Sequence, residues 1–146
     1  MKLTLKVEGA DAIAKKLKRL GVESSQVVAE VTKINALEIE AKAKRNAPVG
    51  LTGKLQQNIA AEPFDKDTYM ITAYEKYAPF IEFGTGKFVS VPSELTSLAL
   101  KFIGKGIRNV NISPQPFLYP AFKGQSKDYI KDLNKALERL TNKFNK

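Results

Sequence analysis

Cysteine and histidine are both absent from this 146-residue chain. Without cysteine there is no disulfide, no thiolate zinc site and no thiol nucleophile. Without histidine the commonest general base and the commonest metal ligand are missing as well. Any catalysis would rest on carboxylates, lysines and hydroxyls, and no cofactor is expected. No apolar run is long enough to span a bilayer, and no apolar signal-like stretch follows Met1. The expectation is a chain that folds in the cytoplasm where it is made, with no membrane partner. Gly84-Thr85-Gly86-Lys87 is a fragment of a phosphate-cradling loop, but the preceding glycine at the required spacing is lacking.

Acidic residues are scarce where basic ones are not. The chain carries 24 Lys and Arg against 15 Asp and Glu, a net +9. Residues 1–20 hold +4, residues 21–58 hold +1, and residues 59–94 hold −3. Residues 95–127 contain five basic residues and no acidic one, so the last 52 residues hold +7 of the +9. Such a field favours acidic partners: nucleic acid, anionic lipid or the acidic rim of another protein. It does not choose among them, and a merely solvated surface gives the same count.

The pattern predicts an α+β fold in one domain, residues 1–146: a small antiparallel sheet packed against a long helix of the N-terminal half and a C-terminal amphipathic helix. Residues 1–7 alternate apolar and polar, as a strand does. A short helix is expected from about Gly9 or Asp11 to Leu20, with Gly21 as its stop. Ser24 or Ser25 then caps a second, longer helix to about Asn46, with Val27, Val31, Ile34, Leu37 and Ala41 as an apolar stripe for the core or a subunit contact. Residues 58–62 and 68–74 read as a hairpin across a turn-rich link. Residues 77–83 read as a further strand ending at Gly84. A helix is expected over 93–103, broken by Gly104-Lys105-Gly106, with a strand or mobile arm over 107–113. Beyond Pro120, the residues Tyr129, Ile130, Leu133, Ala136, Leu137, Leu140 and Phe144 follow helical spacing closely.

Three short motifs stand in order along this frame. Residues 47–59 read Ala-Pro-Val-Gly-Leu-Thr-Gly-Lys-Leu-Gln-Gln-Asn-Ile, residues 77–85 read Tyr-Ala-Pro-Phe-Ile-Glu-Phe-Gly-Thr, and residues 114–122 read Pro-Gln-Pro-Phe-Leu-Tyr-Pro-Ala-Phe. The trio resembles the tail-component family of tailed bacteriophages, typified by the gene-ten product of a lambdoid coliphage. The motif positions are Pro48, Thr52, Gly53, Leu55, Tyr77, Ala78, Glu82, Phe83, Gly84, Thr85, Pro116, Phe117, Pro120 and Ala121. The resemblance implies a non-enzymatic virion protein of the head–tail junction, a neck or tail-completion component. It further implies a homo-oligomeric ring around the DNA channel, touching connector and tail-tube proteins and passing DNA without sequence specificity; six or twelve subunits would suit the symmetry of a tail or portal.

Physical chemistry assigns these residues local roles too. Thr52 is a candidate N-cap, Gly53 supplies backbone freedom, and Leu55 and Ile59 bury. Tyr77, Phe80, Ile81 and Phe83 read as sheet or core residues. Glu82, a carboxylate between two apolar residues, needs a partner. The choices are the Gly84–Thr85 backbone or a cation of a neighbouring subunit. Phe117 is expected to plug a pocket and Pro120 to start the last helix. Lys101, Lys105 and Arg108 are candidates for contact with the acidic sector of the next subunit or with channel DNA. Residues 86–113 are the expected mobile arm or inserted helix. Two rival classes stand beside the virion reading: a basic nucleic-acid-binding module using Lys105 to Arg108, and a carboxylate-dependent hydrolase or nuclease using Glu75, Glu82 and Lys87.

Overall fold

The computed structural model describes residues 10–99 and 111–145, with the side chains of 10–14 and 98 left aside. The expected strand over 1–7, the glycine break at 104–106, most of the 107–113 segment, and Lys101, Lys105 and Arg108 lie outside the described residues.

Two helices run side by side. Helix α1 spans Ala10–Asn46, 37 residues, about 55 Å at the α-helical rise. Helix α5 spans Leu118–Phe144 and lies antiparallel to α1. Lys143 pairs with Glu23 at one end, and Asn46 donates to the Phe117 carbonyl at the other. Between them in sequence come α2 (Lys54–Gln57), β1 (Ile59–Asp65), β2 (Thr68–Ala73), α3 (Ala78–Phe83), two 3₁₀ turns and α4 (Thr96–Ala99). The fold is mixed α+β and mostly helical, with one two-stranded antiparallel sheet among the described residues.

Gly21 does not stop the first helix. It sits within α1 at an ordinary negative φ, and the Ser24 hydroxyl donates back to its carbonyl at 2.9 Å instead of capping a new helix. A mid-helix glycine costs about 0.5–1 kcal/mol relative to alanine. That cost is outweighed where the helix has a neighbour, and here the last turn of α5 lies against residues 16–23.

The apolar stripe of α1 is also rotated from the expected one. Ile34 and Leu37 are 49% and 46% exposed, whereas Asn35, Ala36, Ile39, Ala43 and Ala47 are buried. Small alanines let the sheet and α5 approach α1 closely, and a stripe counted on large side chains alone misses that. Residues 77–83 form a short helix, not a strand. Pro79 occupies its first turn, where its fixed φ suits a helix and its missing N–H costs nothing. A seven-residue apolar run cannot distinguish the two conformations by periodicity.

The hairpin forms as expected, but its first strand runs on through Pro63 to Asp65, leaving only Lys66 and Asp67 to turn; Ile59 faces Ala73 and Ala61 faces Ile71, with an irregularity near Pro63 and Asp65. Its inner face joins the core cluster of Ile39, Ala43, Ala47, Leu55, Ile59, Ala78, Phe117 and Ala121, with Ile71 and Ala73 packed against it. Glu40 ties helix to sheet. Its carboxylate accepts from Lys44 at 2.5 Å and from the Ala61 N–H at 2.8 Å. The Lys44 bond, aided by Ala61, holds the Glu40 carboxyl below its ordinary range.

Candidate functional site

The second and third sequence motifs meet in space and clasp each other. Glu82, 7% exposed, sits at the end of α3 and aims its carboxylate at the start of α5. One oxygen accepts the N–H of Phe117 at 2.9 Å and of Leu118 at 3.0 Å, and the other accepts the N–H of Tyr119 at 2.9 Å. A helix leaves four N–H positions without an intrahelical acceptor. In α5 these are Phe117, Leu118, Tyr119 and Pro120, and proline has no N–H. A single carboxylate therefore satisfies the whole helix start, and its negative charge also complements the helix dipole. The donors come from 35 to 37 residues further along the chain, not from the neighbouring Gly84–Thr85 amides expected from local sequence.

Gly84 makes the clasp sterically feasible. Its φ of 75° and ψ of −179° lie in a region open essentially to glycine alone. A β-carbon there would sit 2.8 Å from the Ile112 carbonyl, 2.9 Å from that of Phe88 and 3.0 Å from the Pro114 ring. The adjoining chain is then laced shut. Thr85 and Ile112 exchange N–H bonds at 2.9 Å, one to a carbonyl and one to the Thr85 hydroxyl. The Gln115 N–H bonds to the Ile81 carbonyl at 2.8 Å, and the Lys87 N–H to the Asn111 side chain at 3.0 Å. Ser90 N–H reaches the Phe83 carbonyl at 2.9 Å. Phe117, 1% exposed, fills the core beneath.

A looser tie lies at the rim. The Tyr119 hydroxyl donates to Glu94 at 2.7 Å, and Lys123 approaches both. That hydroxyl bond, with the Lys123 charge, keeps the Glu94 carboxyl below its ordinary value.

The remaining motif residues divide. Leu55, Ala78, Phe83 and Ala121 are buried, and Leu55, Ala78 and Ala121 share the core cluster with Phe117. Tyr77 is 42% exposed and precedes α3, so it is not a core residue. Thr52 is exposed and does not cap α2. Gly53, left-handed at φ 63°, occupies that position, and its N–H closes the loop onto the Val49 carbonyl at 2.8 Å. Pro48 is half-buried, and Pro116 and Pro120 are exposed. Pro120 stands at the third helical position, since the helix begins at Leu118.

This geometry bears on the hydrolase reading. Both Glu82 oxygens are occupied by backbone donors, Glu75 accepts from Asn58 at 2.5 Å, and the Lys87 amine lies 5.2 Å from the Phe88 ring centre. The three do not converge, and no cluster of metal-ligating side chains occurs among the described residues.

A polar layer between α1 and α5 escaped sequence reasoning. Gln125, 1% exposed, donates to Asn35 at 2.7 Å and to Glu38 at 2.5 Å, and accepts from Lys42. Asn35 in turn donates to the Val31 carbonyl and to Asp132, and Thr32 and Tyr129 share a hydroxyl bond at 3.1 Å. The available signal was positional: Gln125 lies on the i+4 row Ala121, Tyr129 and Leu133, and Asn35 lies on the row Ile39, Ala43 and Ala47.

A family model described as "Bacteriophage HK97-gp10, putative tail-component" matches residues 11–84, half of the chain. The chain belongs to this HK97-gp10-like family. The matched span runs from the start of α1 through the hairpin to Gly84, and thus contains Glu82 and the glycine that lets the clasp close. The third motif lies beyond that span, and the fold joins it to the second through Glu82. No curated protein and no solved structure matches the chain. No helix among the described residues is long and apolar enough to cross a membrane.

Proposed function

We propose that this phage tail-component family member is a non-enzymatic structural protein of the head–tail junction, acting in the neck or in tail completion. On this reading it assembles as a ring around the DNA channel, with one face toward the capsid connector and the other toward the tail tube, and resides in the virion. The observation that carries the proposal is the family match over residues 11–84. The clasp supports it: the buried carboxylate of the second motif serves helix capping and packing, which is what a rigid assembly subunit needs. The sign change in charge, −3 over 59–94 against +5 over 95–127, suits a head-to-tail ring, in which two different patches must complement each other. Lys101, Lys105 and Arg108 are assigned to that contact or to DNA in the channel, where sparse basic charge guides without gripping.

The test is electron microscopy of a phage or prophage lysate with this reading frame deleted. DNA-filled heads beside free tails of normal length are expected for a joining protein, and overlong tails for a terminator. Intact infectious particles would overturn the proposal. Changing Lys101, Lys105 and Arg108 together to Glu is expected to abolish assembly; unaffected particles would remove those residues from the contact.

A further inference from the structure

Strand β2 has one edge paired with β1 and another that no described residue covers. The register decides which backbone groups lie on that free edge. The Tyr74 N–H bonds to the Asn58 carbonyl at 2.8 Å, and bonded and non-bonded pairs alternate along an antiparallel ladder. Ala60–Thr72 and Glu62–Met70 are thus the bonded pairs, and Ile59–Ala73, Ala61–Ile71 and Pro63–Tyr69 are not. The backbone groups of the second set point outward from the hairpin. On the β1 edge, the Ala61 N–H is taken by Glu40 at 2.8 Å. On the β2 edge, no hydrogen bond among the described residues reaches Tyr69, Ile71 or Ala73. Three outward N–H and three outward C=O groups at two-residue intervals form a template for another strand.

We propose that this edge receives residues 1–7 of a second copy of the chain as a third strand. Those residues alternate, with Met1, Leu3, Leu5 and Val7 on one face and Lys2, Thr4 and Lys6 on the other. The sheet is sided in the same way. Ile59, Ile71 and Ala73 face the core, while Glu62, Met70 and Tyr74 are exposed. An added strand in that phase extends the apolar face. It also puts Lys2 and Lys6 on the face that shows Glu62, within the sector of net charge −3.

Reach excludes the chain's own residues. The hairpin is held against α1 at Glu40, about 45 Å along the helix from Ala10. Residues 1–9, fully extended, span at most about 32 Å. The donor segment and the acceptor edge therefore sit at opposite ends of α1, which makes the contact head-to-tail: each copy donates at one end and accepts at the other. Such contacts close into a ring when the rotation between copies permits. The inference supplies a subunit contact for the ring proposed above and rests on that reading.

The absence of native cysteine makes a clean test available. Lys2→Cys, Thr4→Cys and Lys6→Cys chains are each mixed with a Thr72→Cys chain and oxidised. Thr72 lies on the face of β2 opposite Ile71 and Ala73, and in the added strand the three donor positions would share that face, so the core is untouched. At least one mixture is expected to give a disulfide-linked heterodimer. In parallel, light scattering compares the full chain with one lacking residues 1–7 and with Leu3→Pro and Leu5→Pro, which remove ladder donors. The full chain is expected to be oligomeric and all three variants monomeric, with helical circular dichroism retained. An oligomer that survives the deletion and all proline changes overturns strand donation and leaves the ring reading standing. The absence of a heterodimer from all three mixtures overturns it as well. A full chain that stays monomeric and forms no adduct also overturns it, and the ring is then decided by the deleted-phage particles.

Discussion

The two halves of α1 hold their neighbours by different means. From Ile39 to Ala47 the helix packs against the hairpin, α2, α3 and the start of α5 through an apolar cluster sealed by the buried carboxylate of Glu82. From Glu23 to Glu38 it meets α5 through an amide, hydroxyl and ion-pair layer in which Gln125 and Asn35 are the buried centres. Large apolar side chains remain exposed along this stem, among them Val22, Ile34, Leu37 and Ile130. Apolar burial is non-directional and scales with area, so the head carries most of the stability. Polar layers contribute less net free energy but penalise a shifted register, because a slip leaves buried groups unpaired. The head sets the fold; the stem sets the alignment of its two helices.

Removing the carboxylate at Glu82 breaks the head most directly. Glu82→Ala strands three backbone donors at the start of α5, and the expected loss is about 4 kcal/mol in urea unfolding. Glu82→Gln retains an acceptor oxygen and should lose less than half as much. Gly84→Ala attacks the same clasp through the backbone. A positive φ open essentially to glycine and contacts under 3 Å are expected to cost roughly 3 kcal/mol; an unchanged unfolding midpoint would mean the 84–88 and 112–114 segments part freely.

In the stem the signs differ. Gln125→Leu alone leaves Asn35 and Lys42 without their buried partner and should destabilise by about 1–3 kcal/mol. The Asn35→Leu, Gln125→Leu double change should recover part of that loss, because an apolar pair replaces the two buried amides while Glu38, Lys42 and Asp132 remain. Its cost should appear instead as slipped α1–α5 pairing, read as a weaker spin-label distance peak between positions 23 and 143. Gly21→Ala should stabilise by about 0.5–1 kcal/mol, since the glycine sits in open helix with nothing within 4 Å of an added β-carbon.

The smallest effect lies at Glu40, where stem meets head. Its folded carboxyl is held below its ordinary range, chiefly by the bond from Lys44. The unfolded chain therefore binds the proton first as pH falls, and the stability due to this group is full above its unfolded value and fades through the folded one. Wild type should exceed Glu40→Gln in stability near about pH 7, and the gap should narrow by about pH 3.

Much of the secondary structure was legible in advance. The α5 helix, the hairpin and the burial of Leu55 and Ile59 follow from local rules, and each stands in the fold, though the expected link at 63–67 shrinks to a turn at Lys66 and Asp67 because β1 runs on to Asp65. The misreadings share one cause. Gly21 has the residue type of a helix stop, and only the end of α5 lying alongside keeps the helix running. Residues 77–83 have strand composition, yet Pro79 and the need to aim Glu82 at α5 put them in a helix. The polar layer was hidden because a glutamine in an amphipathic helix reads as surface until the opposing helix is placed.

The amino-acid sequence by itself determined the exclusions, the charge asymmetry and the identity of most elements. These depend on residue type and on spacing within one turn or one strand, where neighbours in sequence are neighbours in space. Only the tertiary structure decided the partners of Glu82, Gln125 and Glu40, and which edge of β2 no other described strand pairs. A buried polar group is satisfied by whatever the fold brings within 3 Å, and that donor can lie tens of residues away.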